Sequence, residues 1–323
     1  MVSRRFIWRE NSVAGCGFLF PIPGQQRWQQ RFMNNNKNYF FWRPKDSNKY
    51  DYGHTLIVAG SPAYLGAAVL TAEAANRSGC GLVTLAVPAR FYSTVRAMLR
   101  PEIILCPLTG QEKIFGLARV NFLLDWIKKK RVNSVGIGPG LGDNPRTIKF
   151  VHRFLSAISI PAVVDADALR VFKIDRLVKF GVPLVLTPHP GEIARIFGVG
   201  PQEIKNRRSY FCQRLARATG AIVVLKGYRS LISDGQRVLV NKSGGPGLAR
   251  GGSGDVLTGL LAGLLARRNL NEKDILPIVV RAVYWHGLAG DIAARKNTET
   301  AMNVNDVIAA LPEAAKILKR RWK

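Results

Sequence analysis

Short apolar runs recur along the chain from about Gly53 onward, and each run stops at small or polar residues. Buried strands give this pattern when turn-forming residues follow about four to eight apolar positions. Runs of this kind predict strands at Thr55–Ala59, Leu82–Val87, Ser134–Ile137, Pro161–Val164, Pro183–Leu186 and Ala221–Leu225.

Two further runs, Tyr228–Ile232 and Arg237–Val240, flank Ser233-Asp-Gly-Gln236 and predict a β-hairpin. Helices are predicted at Gly66–Ser78, in the stretch that ends near Leu155, and at Ser253–Arg267, Lys273–Ala294 and Val304–Ala315. Strands that alternate with helices predict an α/β fold, in which a doubly wound, mainly parallel sheet is flanked by helices on both faces.

Small and polar residues follow five of the predicted strands. Ligands of such sheets bind beyond the carboxyl ends of the strands. Turn formation would account for any one of these clusters, but several at the same edge predict a single site. The clusters are Gly60-Ser61, Gly138–Gly142, Asp165–Asp167, His189–Glu192 and Lys226-Gly227.

A glycine-rich segment, Gly244–Asp255, runs into the helix predicted at Ser253–Arg267. Glycine lets the backbone approach a phosphate closely, and the N–H groups of a helix's first turn attract anions. The segment therefore predicts a phosphate-binding loop in an enzyme that uses a nucleotide. Asp255 either caps this helix or, beside a phosphate, acts as a base toward a substrate hydroxyl. Arg250 either neutralises phosphate charge or is a solvated surface side chain.

Better-known glycine motifs do not explain these segments. The chain lacks GxxxxGK[ST], and Gly136–Gly142 does not have the GxGxxG spacing. Lys226–Ser230 is either a surface turn or a nucleotide contact, made by the Lys226 charge or by backbone and Ser230 hydrogen bonds. His189 and Glu192 flank Pro190-Gly191 and predict a ligand-binding corner, although a lone histidine is more often structural.

Charge narrows the choice of partners. The 323 residues include 48 Lys and Arg against 21 Asp and Glu, which gives a net charge of +27. This excess fits either a nucleic-acid-binding surface or the attraction of an anionic substrate. The sequence has no zinc finger, RNP-like strand or recognition helix. Specific nucleic-acid binding is therefore disfavoured, and a polyanionic nucleotide is the simpler partner.

Four dispersed cysteines, Cys16, Cys80, Cys106 and Cys212, favour free thiols in a reducing compartment, which predicts a cytoplasmic protein. The sequence has no window of about eighteen consecutive apolar residues, so it does not predict a membrane span. Residues 1–40 are basic and predict a disordered extension, unless translation begins at Met33; their aromatic content fits a transit peptide poorly. We expect a single domain over residues 41–318 and a basic tail over 319–323.

Several motifs occur in the order found in the ADP/ATP-dependent NAD(P)H-hydrate dehydratases, and residues 40–315 resemble that family. The motifs are Gly53-His-Thr-Leu-Ile-Val-Ala-Gly-Ser61, Gly66-Ala-Ala68, Gly79-Cys-Gly-Leu-Val-Thr84, Gly138-Pro-Gly-Leu-Gly142, Asp165-Ala-Asp-Ala-Leu169, Leu186-Thr-Pro-His-Pro-Gly-Glu192, Lys226-Gly227, Gly251-Gly-Ser-Gly-Asp-Val-Leu-Thr-Gly259 and Tyr284-Trp-His-Gly-Leu-Ala-Gly-Asp291.

The resemblance implies a ribokinase-like fold and ATP- or ADP-driven dehydration of the S epimer of hydrated NADH and NADPH. It implies that Asp255 contacts the substrate hydroxyl as catalytic base, and that Mg²⁺ takes part without direct protein ligands. The hydrated nicotinamide nucleotide would contact Ala67, Gly142, His189 and Glu192 as well as Asp255. The adenine nucleotide would contact Lys226, Gly227, Tyr228, Arg229, Ser230, Gly251, Gly252, Ser253 and Gly254.

The chain also departs from the family's pattern. Gly245 stands where the family often has Asn, which leaves the choice between ADP and ATP open. The epimerase domain often fused to this dehydratase is missing, so a separate epimerase is expected, and the resemblance suggests a homotetramer. The alternative is a ribokinase-like kinase of the thiazole or pyridoxine type, which would share the Gly-Ser-Gly-Asp loop. A non-enzymatic, basic nucleotide-binding protein is a third possibility, which the intact glycine loop and Asp255 disfavour.

Overall fold

The computed structural model describes residues 41, 43–108, 110, 114–175, 177–267 and 270–321. The predictions for residues 1–40, including a start at Met33, lie outside this part of the chain. Within it, no helix is long and apolar enough to cross a membrane.

The described strands form one nine-stranded sheet with the order β3-β2-β1-β4-β5-β6-β7-β8-β9. Strands β1 to β7 pair in parallel, whereas β8 and β9 pair antiparallel. The strands are β1 His54–Val58, β2 Leu82–Pro88, β3 Ile104–Leu108, β4 Ser134–Ile137, β5 Ala162–Val164, β6 Leu184–Leu186, β7 Ile222–Leu225, β8 Leu231–Ser233 and β9 Val238–Val240.

Helices connect the strands and continue after the sheet. They are α1 Leu65–Arg77, α2 Tyr92–Met98, α3 Val120–Lys130, α4 Pro145–Ala157, α5 Pro190–Phe197, α6 Pro201–Asn206, α7 Arg208–Thr219, α8 Ser253–Leu265, α9 Glu272–Ala301 and α10 Val304–Arg321. Together with the parallel sheet, this confirms the predicted ribokinase-like doubly wound fold.

The sheet separates two apolar cores, because alternate strand residues point to opposite faces. In β1, Ile57 belongs to one core, and Leu56 and Val58 belong to the other. The first core is completed by residues of α1, α8, α9 and α10, and the second by residues of α3, α4, α5 and α7.

Helix α8 is buried over most of its length and is held tightly in place. A Cβ at Gly259 would overlap the carbonyl oxygen of Thr71 in α1, so only glycine permits this approach. Ser134 in β4 donates a hydrogen bond of 2.7 Å to the carbonyl of Ala262. These contacts hold the middle and later turns of α8 against α1 and the amino end of β4.

Some predicted bounds were wrong. Strand β3 was not predicted; it lies at the sheet edge, is only partly buried and contains Pro107, which an edge strand tolerates. The first hairpin strand begins at Leu231 and not at Tyr228, because residues 226–230 form a turn. Helix α9 continues past Ala294 to Ala301, and α10 past Ala315 to Arg321, so residues 319–321 of the predicted basic tail are helical.

Candidate active site

The five predicted strand-end clusters follow β1, β4, β5, β6 and β7, which are consecutive neighbours in the sheet. All five strands are parallel, so their carboxyl ends share one edge. Helix α8 begins at this edge, since Thr258 in its second turn reaches the end of β5. The structure therefore brings the clusters and the glycine loop together.

Asp165, directly after β5, is the centre of a buried hydrogen-bond network. Its Oδ1 accepts a hydrogen bond of 2.6 Å from Lys226 Nζ, and its Oδ2 accepts one of 2.8 Å from Thr258 Oγ1. Asp165 is 1% exposed and Thr258 is fully buried. The network joins the ends of β5 and β7 to helix α8.

Lys226 is enclosed by carboxylates. Besides Asp165, its Nζ lies 4.0 Å from Glu192 Oε2, and only 18% of its side chain is exposed. Burial acts to lower the pKa of Lys226, but the negative charges of Asp165, Glu192 and Asp255 outweigh it and the pKa is raised. The ammonium therefore stays charged and balances the negative charge of the carboxylates around it.

Asp255 lies in the first turn of α8 as an acid of unusually high pKa. Burial, followed by the negative charges of Asp165 and Asp167, raises its pKa to about 7, although Lys226 acts in the opposite direction. A carboxylate that stabilised the helix start in its ionised form would have a lowered pKa. Asp255 is thus poised to hold or release a proton near neutral pH.

The start of α8 is built from glycine. Its N-cap is Gly252, with φ of 90°, and no side chain caps the helix. A Cβ at Gly254 would lie 3.1 Å from Lys226 Nζ and 3.6 Å from Asp165 Oδ2. Glycine at these positions lets the first turn of α8 lie close to the network. The buried Ser253 hydroxyl has no hydrogen-bond partner among the described residues.

His189 and Glu192 form a capping box at the start of α5. His189 Nδ1 accepts from the N–H of Gly191 at 3.0 Å, and Glu192 Oε2 accepts from the N–H of His189 at 2.7 Å. The Nε2 edge of His189 stays largely exposed and lies 3.5 Å from Glu192 Oε1. Burial raises the pKa of Glu192. The predicted ligand-binding corner is therefore also a helix cap.

The loop after β4 packs on the start of α1. A Cβ at Gly140, whose φ is 64°, would lie 2.6 Å from Tyr64 Cβ and 3.1 Å from Ala67 Cβ. The N–H of Gly142 donates to Asp167 Oδ2 at 2.8 Å. Gly142 and Ala67 consequently lie on the β4 side of the network, linked to it through Asp167.

The predicted nucleotide turn, residues 226–230, is held by backbone contacts. Arg208 Nη1 donates to the carbonyl of Tyr228 at 2.8 Å, and Ser230 Oγ donates to the carbonyl of Gly227 at 2.9 Å. Arg229 has a positive φ of 51°. The Tyr228 side chain is 73% exposed and, with Arg229, lies on the outer rim of the edge.

The glycine loop rests on helix α9. The N–H of Gly244 donates to Asp291 Oδ2 at 3.0 Å. A Cβ at Gly245 would lie 3.2 Å from Glu299 Oε1, so a larger side chain there would face a carboxylate. Arg250 contacts backbone carbonyls and is not the solvated side chain that one interpretation expected.

The sequence interpretation did not assign a role to Asp165, Asp167 or Thr258. The Asp165-Ala-Asp167 cluster was predicted only to follow a strand. Two carboxylates directly after that strand were the sequence signal, whereas their contacts with Gly142 and Lys226 are tertiary. Thr258 is one helical turn beyond Asp255 and points the same way, as residues three apart do.

A family model described as NAD(P)H-hydrate dehydratase matches residues 55–313. The chain is 41% identical over 278 residues to the bifunctional NAD(P)H-hydrate repair enzyme of Moorella thermoacetica, covering 84% of this chain and 50% of that protein. It is 35% identical over 284 residues to the ADP-dependent (S)-NAD(P)H-hydrate dehydratase of Cenarchaeum symbiosum, covering 86% and 93%. The chain thus spans about half the length of its bifunctional relatives.

Among solved structures, the fold matches the ADP/ATP-dependent NAD(P)H-hydrate dehydratase of Bacillus subtilis, co-crystallised with ATP and Mg²⁺. The TM-score is 0.71 at 28% identity, over 85% of this chain and 93% of that one.

Proposed function

This chain belongs to the NAD(P)H-hydrate dehydratase family, and on that premise we propose that it dehydrates the S epimers of hydrated NADH and NADPH at the expense of ATP or ADP. The observation that carries the proposal is the placement of Asp255. A carboxyl group with a pKa of about 7 lies in the first turn of a glycine-started helix, at the edge where the strand-end loops meet.

Asp255 acts as the general base. The substrate hydroxyl gives its proton to the Asp255 carboxylate, and the oxygen forms a bond to the terminal phosphorus of ATP or ADP. The bond from that phosphorus to its bridging oxygen breaks, and ADP or AMP leaves. A base whose pKa lies near the working pH is well suited to such a transfer.

The second step is an elimination. The ring nitrogen lone pair of the phosphorylated hydrate expels inorganic phosphate by breaking the carbon–oxygen bond. The neighbouring ring carbon then gives a proton to water or to the departing phosphate, and the C–H electron pair restores the dihydropyridine. Phosphorylation makes this possible because phosphate is a much better leaving group than hydroxide.

Lys226 and Asp165 tune the base. Asp165 and burial keep the Asp255 pKa high, and the Lys226 charge limits the increase. The nucleotide phosphates bind the backbone N–H groups of Gly251–Gly254 and the positive end of α8. Lys226 influences the reaction indirectly, through its charge near the carboxylates, because its ammonium is hydrogen-bonded to Asp165.

Magnesium fits this site as a companion of the phosphates. Both oxygens of Asp165 already accept hydrogen bonds, from Lys226 and Thr258, so this carboxylate is committed to the protein. Magnesium usually keeps several waters and binds through substrate phosphates with few protein ligands. When bound, it would supply positive charge against the transferring phosphoryl group.

The two ligands approach from opposite sides of Asp255. The hydrated nicotinamide nucleotide lies on the side of Ala67, Gly142 and the α5 corner of His189 and Glu192. The adenine nucleotide lies over the turn at residues 226–230, where the exposed Tyr228 ring offers a stacking surface.

The direct test is a dehydration assay with hydrated NADH and hydrated NADPH, each with ATP, with ADP and with no nucleotide. Recovery of the dihydropyridine absorbance that requires a nucleotide supports the proposal. Phosphorylation of a thiazole or pyridoxine alcohol without any recovery of the dihydropyridine would instead support a small-molecule kinase. The family match favours the dehydratase.

An enzyme that accepts only the S epimer leaves the R epimer unrepaired. We therefore expect a separate epimerase to act on the same pool. A cytoplasmic location and a homotetramer remain predictions, which fractionation and light scattering would test.

A further inference from the structure

Arg250, in the glycine loop, directs its guanidinium at backbone carbonyls. Its Nε donates to Gly247 O at 2.7 Å, within the loop itself. Its Nη2 donates to Glu299 O at 2.7 Å, and its Nη1 donates to Met302 O. The half-buried side chain therefore joins the loop before α8 to the C-terminal end of α9.

Of the carbonyls that Arg250 contacts, that of Glu299 lies in the distorted last turn of α9, and that of Met302 directly follows the helix. The last carbonyls of a helix have no partner within it. Thr298, just before them, has φ of 62° and ψ of 158°, a conformation that branched side chains avoid. Arg250 thus supplies hydrogen bonds that this distorted helix end lacks.

Arg250 is also the last anchor of the loop before the proposed phosphate site. Just before the loop, Ser243 Oγ donates to Tyr284 O at 2.9 Å, and at its first residue the N–H of Gly244 donates to Asp291. After Arg250 come Gly251 and Gly252, which have no side chain of their own to anchor them. The hydrogen bonds that hold Arg250 therefore also determine the direction of the N–H groups of Gly251 and Gly252.

We propose that Arg250 is a positioning residue for the phosphate-binding loop, and not a phosphate ligand. Three of its nitrogens bind three carbonyls, so the guanidinium holds Gly251–Gly254 in the conformation that receives a nucleotide. This rests on the proposed function, because it assumes that the loop binds phosphates.

Arg96 offers a matched control. Its Nη1 donates to Ile103 O at 3.0 Å, and its Nη2 donates to Leu99 O at 2.8 Å and to Arg100 O at 2.6 Å. It is half-buried like Arg250 and ties carbonyls after α2, beside edge strand β3. Its removal costs comparable hydrogen bonds far from the glycine loop.

The experiment compares Arg250→Ala, Arg250→Lys and Arg96→Ala in the full chain. Calorimetric titration measures Mg·ADP and Mg·ATP binding, thermal unfolding measures stability, and kinetics measures KM for the hydrate. Both Arg250 variants should bind ADP and ATP roughly tenfold more weakly, by a similar factor for each. The hydrate KM should change less than about twofold. Arg96→Ala should lose stability but keep both affinities.

Methylguanidinium should restore part of the nucleotide affinity of Arg250→Ala, because it can rebind the carbonyls. If Arg250→Ala does not fold, the same comparison is made with Arg250→Lys, which keeps the charge but cannot span three carbonyls.

Two results would overturn the proposal. One is wild-type affinity in both Arg250 variants. The other is a phosphate-ligand pattern, in which Arg250→Lys binds normally and Arg250→Ala loses ATP far more than ADP. Failure of the proposed function would look different: the wild-type chain would bind nucleotide with the expected Arg250 dependence but would not dehydrate either hydrate.

Discussion

Two helices begin at the same edge of the sheet, and their first turns are built in opposite ways. Helix α5 is closed by its own residues, since His189 and Glu192 satisfy its first N–H groups in a capping box. Helix α8 begins at Gly252 without a side-chain cap, and its Asp255 has a raised pKa. In the sequence, both segments predict ligand-binding corners. In the structure, the start of α5 is closed by a side-chain cap and the start of α8 is not, and anion binding at α8 is the proposal.

The largest expected effect comes from Asp255→Asn, which removes the proposed base at the start of α8. We expect kcat to fall by about a factor of 10² to 10⁴ with both nucleotides, because general-base assistance is lost. Nucleotide binding should remain measurable. Steady-state kinetics and calorimetry check this, with circular dichroism as the folding control. Full activity in a folded Asp255→Asn variant would rule out the base assignment.

The same substitution should change the pH dependence of stability. The Asp255 pKa rises on folding from 3.8 to about 7, so the folded state binds the proton more tightly. Its stabilising contribution is complete below about pH 4 and is lost as the pH rises through 7. Asp255→Asn should therefore match wild type near pH 4 and exceed it at pH 8, by at most about 4 kcal/mol.

Urea unfolding of both proteins at pH 4, 6 and 8 measures this difference. Equal free energies of unfolding at pH 8 would mean that ionised Asp255 does not destabilise the folded state. The raised pKa of Asp255 would then be contradicted.

Lys226→Met tests whether Lys226 lowers the pKa of Asp255 in the first turn of α8. Lys226 lowers the pKa of Asp255, so its removal should raise that pKa and move the acid limb of kcat/KM by on the order of one pH unit to higher pH. The pH–rate profile measures the shift. The variant should also be less stable, because Asp165 would lose its partner. If the acid limb of kcat/KM did not move, ionisation of Asp255 would not be what determines that limb.

The smallest effect concerns the closed start at α5. His189→Ala should cost about 1 kcal/mol of stability through loss of the cap, whereas His189→Asn should keep most of it, because Asn is a strong N-cap. If the imidazole also contacts the hydrate, both variants should raise the hydrate KM alike. Denaturant unfolding and kinetics separate the two roles; equal stability in all three proteins would show that the cap contributes nothing.

Much of the fold was readable from apolar runs, because parallel strands buried on both faces need continuous apolar residues. Strand β3 escaped notice because an edge strand with Pro107 lacks such a run. The extension of α9 past Ala294 was missed because the polar stretch to Ala301 carries no apolar periodicity. At the site, the strand-end clusters were found, but Asp165 and Thr258 received no role.

The sequence by itself determined that the clusters share one edge and that α8 begins in glycine, because both follow from local patterns and parallel topology. Only the tertiary structure decided which side-chain donor meets which acceptor. Lys226 meets Asp165 across 61 residues of chain, Thr258 meets it across 93, and Arg250 reaches carbonyls about 50 residues away. The raised pKa of Asp255 also depends on the tertiary structure, because burial and neighbouring charges cause it and no local sequence pattern records them.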